Sequence, residues 1–174
     1  VICIKSPGAS PLYSQWRVGR VRKDGTFYLF KIYKFRSMVP NADQMLKDLQ
    51  AQNEATGPMF KMKHDPRIIP GVGNFIRKHS IDELPQLINV FLGQMNLIAP
   101  GLPREVALYS EHNMKRLAVK PGCSGPWQVM GRSYLGFKEM VELDLRYIEN
   151  RSLRQDLRLI FGTLKTMFSG EGAV

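Results

Sequence analysis

The chain has 174 residues, enough for one domain whose core needs no disulfide or metal staple. Its apolar fraction of 44% excludes an intrinsically disordered chain, and it holds no run of about 18 apolar residues that would span a bilayer. Lys and Arg number 25 against 15 Asp and Glu. That balance of +10 favours an anionic partner (nucleic acid, lipid headgroup or phosphorylated substrate) without choosing among them.

Apolar and polar residues alternate from Tyr13 to Met38, and Asp24-Gly25 supplies a tight turn, so this stretch reads as a β-hairpin. Asn41 to Glu54 reads as a helix capped by Asn41, with Met45, Leu46 and Leu49 on one side. Gly57 to Gly73 is punctuated by Gly and Pro. Asp82 to Leu92 reads as a short helix. Pro100-Gly101-Leu102-Pro103 is a break, and Arg104 to Leu117 is expected to be helical after it. Pro121 to Gly136 reads as an ordered loop, and two helices close the chain, Phe137 to Asn150 and Ser152 to Phe168. The fold class expected is α+β: a single helix-rich domain, residues 1–174, with a small β-hairpin or sheet. Cys3 and Cys123 form no C-x-x-C pair and no His cluster accompanies them, so they read as two small buried thiols and not as a zinc site.

His79-Ser80-Ile81-Asp82-Glu83-Leu84-Pro85-Gln86 carries the most chemical information. Ser80 with Glu83 three residues on matches a capping box, a purely structural reading. Pro85 opposes it, because a helix capped at Ser80 would place Pro85 fifth, where a helical hydrogen bond is lost. With Asp82 as the cap, Pro85 falls in the first turn, which has no use for its N–H. Asp82 then sits at a helix mouth, where N–H groups attract phosphate. One carboxylate of such an Asp-Glu pair can attack phosphorus while the other holds a divalent cation. Lys34-Phe35-Arg36, Lys63-His64-Asp65-Pro66-Arg67, Arg17 and Arg20 supply cations suited to phosphate, although an isolated Arg is more often a solvated charge.

These segments together resemble one family, the bacterial sugar transferases (monotopic phosphoglycosyl transferases). Its ordered motifs are matched by Ser6-Pro7-Gly8, Arg17-Val18-Gly19, Tyr33-Lys34-Phe35-Arg36-Ser37-Met38, Asp65-Pro66-Arg67-Ile68 and Ser80-Ile81-Asp82-Glu83-Leu84-Pro85-Gln86-Leu87. They continue with Asn89-Val90, Lys120-Pro121-Gly122, Trp127-Gln128-Val129, Gly131-Arg132-Ser133 and Asp144-Leu145-Arg146-Tyr147-Ile148-Glu149-Asn150. Each motif is weak alone; the ordered set spans nearly the whole chain and is specific. The resemblance implies that Asp82 attacks the β-phosphorus of a UDP-sugar, expels UMP and carries the sugar phosphate covalently to a polyprenyl phosphate acceptor. It implies Mg²⁺, or Mn²⁺, on Glu83, and a phosphate-binding set of Arg17, Lys34, Arg36, Arg67, Arg104, Gln128 and Arg132. It also implies a monotopic enzyme on the cytoplasmic face of a bacterial inner membrane, with a hydrophobic membrane-entering helix ahead of Val1.

The sequence departs from the family in three places. The family's G-P-R-P is Ala99-Pro100-Gly101-Leu102, which lacks the Arg and leaves Arg104 as the nearest substitute. The S-P-G-P opening is stretched to Ser6–Pro11, and the Leu before Trp127 is Pro126.

In the last helix Leu153, Leu157, Ile160, Phe161, Leu164, Met167 and Phe168 share one side, with Arg151, Arg154, Arg158 and Lys165 on another. That pattern suits either an anionic membrane surface or ordinary packing. The rival to an enzyme is a basic, non-catalytic module for nucleic acid or anionic lipid. Such a module has no use for the Asp82-Glu83 pair, and no aromatic platform is interleaved with the Arg residues. No nucleic-acid partner is therefore expected.

Overall fold

The computed structural model describes residues 1–54, 60, 62, 64–103, 106–131 and 135–170. A single turn, α1 (Ile2–Lys5), precedes the hairpin of β1 (Leu12–Val21) and β2 (Phe27–Phe35), and Cys3 is exposed and not buried as expected, because no residue of that turn is buried. The hairpin is antiparallel, with Trp16 opposite Lys31 and Leu12 opposite Phe35, as the alternation predicts. Gly25 takes φ +82° in the connecting turn, a left-handed conformation suited to glycine, and the Asp24 carboxylate accepts from the Thr26 N–H at 2.9 Å. A shift of register between Val18 and Arg20 lets Gly19 face the Tyr28 ring, where a side chain would have no room.

α2 (Ala42–Leu49) is shorter than expected and passes into a 3₁₀ turn at Gln50–Gln52. Asn41 precedes it but makes no side-chain cap. α3 (Val72–Lys78) is not legible in the sequence: seven residues opening on Val72-Gly73-Asn74 are too few for a periodic signal. After α3 come a 3₁₀ turn at Ile81–Glu83 and α4 (Gln86–Phe91). β3 (Asn96–Ile98) pairs in parallel with β4 (Gly122–Ser124), two strands of three residues that the sequence reading leaves as loop. Their backbones approach so closely that a Cβ at Gly125 would lie 2.2 Å from the Ala99 carbonyl oxygen. The helix expected from Arg104 to Leu117 is broken: Arg104 and Glu105 lie outside the described residues, and from Val106 on the segment divides into 3₁₀ turns at Val106–Leu108 and Lys115–Ala118 around α5 (Glu111–Met114). α6 (Pro126–Met130) occupies part of the expected loop, with Pro126 in its first turn, where proline is tolerated.

α7 (Phe137–Glu149) and α8 (Leu153–Ser169) match the expected helices, and Ser152 caps α8 by accepting from the Gln155 N–H. One apolar cluster joins Ile98 and Ala99 to Tyr147 and Leu159; another joins Phe30 and Ile32 to Met95. The Tyr147 hydroxyl, fully buried, donates to the Asp156 carboxylate at 2.6 Å and lies 3.1 Å from the Ile98 carbonyl, joining α7, α8 and β3. The mixed helix-and-strand class therefore agrees with the expectation, while the second, parallel pair of strands is an addition to it.

Candidate active site

Asp82 and Glu83 lie in the 3₁₀ turn that packs between α3 and β2. Neither capping reading holds. Ser80 makes no side-chain cap and adopts φ +53°, and α4 begins only at Gln86, after Pro85. Asp82 is therefore not the cap of the helix. A six-residue helix also offers little dipole, so other groups set the electrostatics of this turn. Pro85 does fall where its missing N–H costs nothing, the part of the argument that survives. Ser80 is the only non-glycine among the described residues with a left-handed backbone, an unfavourable conformation held immediately before the carboxylate pair.

Asp82 is 7% exposed. Burial, and then the negative charge of Glu83, push its carboxyl up to about 6, while Lys34 and Arg77 pull the other way. The Lys34 ammonium lies 2.6 Å from the Glu83 carboxylate. That contact joins residues 49 apart in sequence and depends on how β2 is held against α4. Asn89, fully buried, does the holding. Its amide donates to the Lys31 carbonyl and to Gln94, both at 2.7 Å, and its oxygen accepts from the Tyr33 N–H at 3.2 Å. The side chain thus completes the backbone hydrogen bonds of β2 on either side of Ile32, which leaves Lys34 at the Asp82 turn. Sequence reading quoted Asn89 only as part of a motif, and it passed over Arg77 on α3, a cation close enough to act on both Asp82 and Asp65.

The other candidate residues divide. All five N–H donors of Arg36 are engaged inside the protein, by Ser6 (side chain and carbonyl), Ala9, Ser10 and Met38. Arg36 thus anchors the N-terminal loop. Arg67 forms a two-pronged bond with Asp65 and stacks on the Phe60 ring. Arg17 donates to Gln15 within the hairpin at 2.7 Å. Among these cations Lys34 alone has a described contact with the carboxylate pair. Arg104 and Arg132 lie outside the described residues, as does Lys63. Gln128, on α6, lines an apolar groove that also touches Ser80 and Glu83, and its side-chain oxygen is buried with no partner among the described residues.

The groove has a volume of about 280 Å³ and runs between α4 and α8 over the β3–β4 pair. Phe161 and Phe168 of α8 are exposed, at 69% and 85%, so the apolar stripe that they belong to faces outward. Leu159 alone of that helix is buried.

Among the described residues no three His, Cys, Asp or Glu side chains converge on a metal position. The two adjacent carboxylates at the Asp82 turn fit a hard cation that keeps water and takes substrate phosphate as its remaining ligands, which is how Mg²⁺ is commonly held. They do not fit zinc, which wants a closed set of nitrogen and sulfur ligands.

A model of the bacterial sugar transferase family matches residues 1–170. The chain is 44% identical over 173 residues to the galactosyl transferase CpsE of Streptococcus agalactiae, covering 98% of this chain and 37% of that protein. It is 41% identical to the undecaprenyl-phosphate galactose phosphotransferase of Salmonella typhimurium, covering 95% of this chain and 35% of that protein. It is 33% identical to the exopolysaccharide production protein ExoY of Sinorhizobium fredii, covering 97% of this chain and 74% of that protein. The chain spans little more than a third of the first two relatives, so the likeness concerns one part of them. With a family model that matches residues 1–170 and a relative 33% identical over 74% of its own length, the chain, which carries a buried carboxylate beside an ion-paired one, belongs to the bacterial sugar transferase family.

Proposed function

We propose that this chain transfers a sugar-1-phosphate from a UDP-sugar to a polyprenyl phosphate, as a phosphoglycosyl transferase on the cytoplasmic face of a bacterial inner membrane. The observation that carries the reading is Asp82, a carboxylate buried in a short turn with Glu83 and Lys34 beside it and Arg77 near.

Burial withholds water from the Asp82 carboxylate, which favours attack on phosphorus over idle solvation. In the first half-reaction an Asp82 oxygen forms a bond to the β-phosphorus. The bond from that phosphorus to the bridging oxygen breaks, and UMP leaves with the electron pair. In the second, a phosphate oxygen of the acceptor attacks the same phosphorus and the Asp82 carboxylate is released, giving a polyprenyl diphosphate sugar. Lys34 and Arg77 hold Asp82 ionised against its burial and steady the donor's phosphates. Glu83, released in part from Lys34, is the residue that would hold Mg²⁺ or Mn²⁺, with phosphate and water. When bound there, the cation offsets the negative charge that gathers on the donor diphosphate.

The experiment is donor turnover with a panel of UDP-sugars, reading UMP and covalent labelling of the protein. Asp82→Asn should abolish both together. Glu83→Gln should leave the fold intact and remove the dependence on Mg²⁺ along with most of the activity, and EDTA should do the same to the unaltered protein. Near-normal turnover by Asp82→Asn, or full activity in chelator, refutes the reading.

A basic binding module, the alternative on charge alone, is disfavoured by the family assignment, since relatives carry transferase names.

A further inference from the structure

We propose that the groove between α4 and α8 is the seat of an isoprenoid chain, holding the first units of the acceptor's lipid tail with its phosphate turned toward the Asp82 turn. This rests on the functional reading above and adds to it a place for the acceptor.

Leu84 and Leu87 form one wall of the groove, Ile160, Leu164 and Met167 the other, and Leu97 lies between. At one end it touches Ser80 and Glu83, so a chain lying in it brings its head to the carboxylate pair. Apart from the Gln128 oxygen, which has no partner among the described residues, the hydroxyls along the floor are satisfied within the protein. Thr163 donates to the Leu159 carbonyl at 2.7 Å, so Ser124 must be the donor in its 2.7 Å bond to Thr163. Thr166 donates to the Thr163 carbonyl at 2.9 Å. Cys123 is a neutral thiol there, pushed up to about 12 by burial and then by Glu83. A cavity of about 280 Å³, at roughly 30 Å³ per water-sized group, holds about nine heavy atoms, close to two isoprene units.

Charge separates a lipid from a peptide as the occupant. Lys34 and Arg77 stand at the carboxylate end. Arg154, Arg158 and Lys165 are exposed on the side of α8 beyond its apolar stripe, where they suit phosphate headgroups. The apolar surface continues out of the groove onto Ile88 and Phe91 of α4 and Leu92 just after it, with Phe91 92% exposed, and onto Leu157 and Phe161 of α8. A chain that emerges from the groove therefore meets apolar surface flanked by cations, the sequence of environments found at a lipid interface.

The test uses geranyl phosphate in detergent, an acceptor of two isoprene units that needs no vesicle. Leu87→Gln and Leu164→Gln alter walls that are already half-exposed, so the fold should tolerate them. Each should raise the KM for geranyl phosphate at least tenfold while Asp82 is still labelled by donor at the normal rate, because the donor half-reaction does not use the groove. Leu153→Gln and Phe168→Gln, on the same helix but outside the groove, should weaken vesicle binding and leave that KM alone. Binding is read separately by isothermal titration of the protein with geranyl phosphate in detergent, where each wall variant should weaken the Kd at least tenfold and decyl phosphate should bind less tightly. Binding of geranyl phosphate without any donor labelling would uphold the groove and defeat the transferase reading. Absence of binding, an unchanged KM in the wall variants, equal binding of decyl phosphate (a general acyl-chain site), or a change of oligomeric state in those variants (a seat for a second copy) overturns the proposal.

Discussion

Asp82→Asn should make the protein inactive and more stable at once. The carboxyl of Asp82 is pushed up from 3.8 to about 6, first by burial and then by Glu83. The folded state therefore keeps a proton that the unfolded state has already released, and the carboxylate weakens the fold once pH passes that range. The sign follows from linkage: below the unfolded value Asp82 is neutral in both states and costs nothing, the cost grows between about pH 4 and 6, and it is complete above. A shift of about 2 units corresponds to about 3 kcal/mol at neutral pH, an upper bound because Asn also has to find hydrogen bonds in the same turn. For a domain of this size each kcal/mol moves Tm by about 2–4 °C. Calorimetry in EDTA at pH 8 should place Asp82→Asn above the unaltered protein by an amount whose upper bound is about 6–12 °C. At pH 4 the two should nearly coincide. A variant that is less stable at pH 8, or a gain of equal size at both pH values, refutes the claim that a buried, electrostatically opposed carboxylate sits at this turn. The trade is expected of a nucleophile, whose environment serves reaction at the expense of stability.

Asn89→Ala should unfold at lower denaturant by about 2–3 kcal/mol, since it strands the Lys31 carbonyl and Tyr33 N–H of β2, and the activity of what remains folded should fall as Lys34 loses its register. Asp144→Asn should cost about 3–5 kcal/mol in chemical denaturation, because it leaves the buried Arg116 guanidinium without its anion; Asp144→Asn with Arg116→Met should recover much of that loss. Phe161→Ser with Phe168→Ser should leave Tm nearly unchanged, as both rings are exposed, and should weaken sedimentation with anionic vesicles, most visibly in high salt, where the Arg and Lys contribution is screened. Unaltered vesicle binding in that double variant would show that the outer face of α8 does not meet lipid.

Local chemistry made several parts of this protein legible in the sequence. Alternation on either side of Asp24-Gly25 predicts the hairpin, and a full 3.6-residue stripe predicts α7 and α8, because a long amphipathic pattern has few other ways to bury its apolar side. The Asp82-Glu83 pair and the ordered motifs around it were visible for the same reason: residue type and order are enough to recognise them. Tertiary contacts decided the rest. Three-residue strands such as β3 and β4 carry no periodic signal, and their pairing depends on glycines that let two backbones meet. Whether a cation serves phosphate or the protein's own frame is also a matter of what lies across from it: Lys34 meets Glu83, whereas Arg36 spends four of its five donors on the N-terminal loop and the fifth on the Met38 carbonyl, although the two stand two residues apart. Alternate residues of a strand share a face, so sequence alone cannot separate them. Only the packing of β2 against the Asp82 turn, fixed by a buried Asn89, brings one charge to the carboxylates and leaves the other to hold the chain's beginning in place.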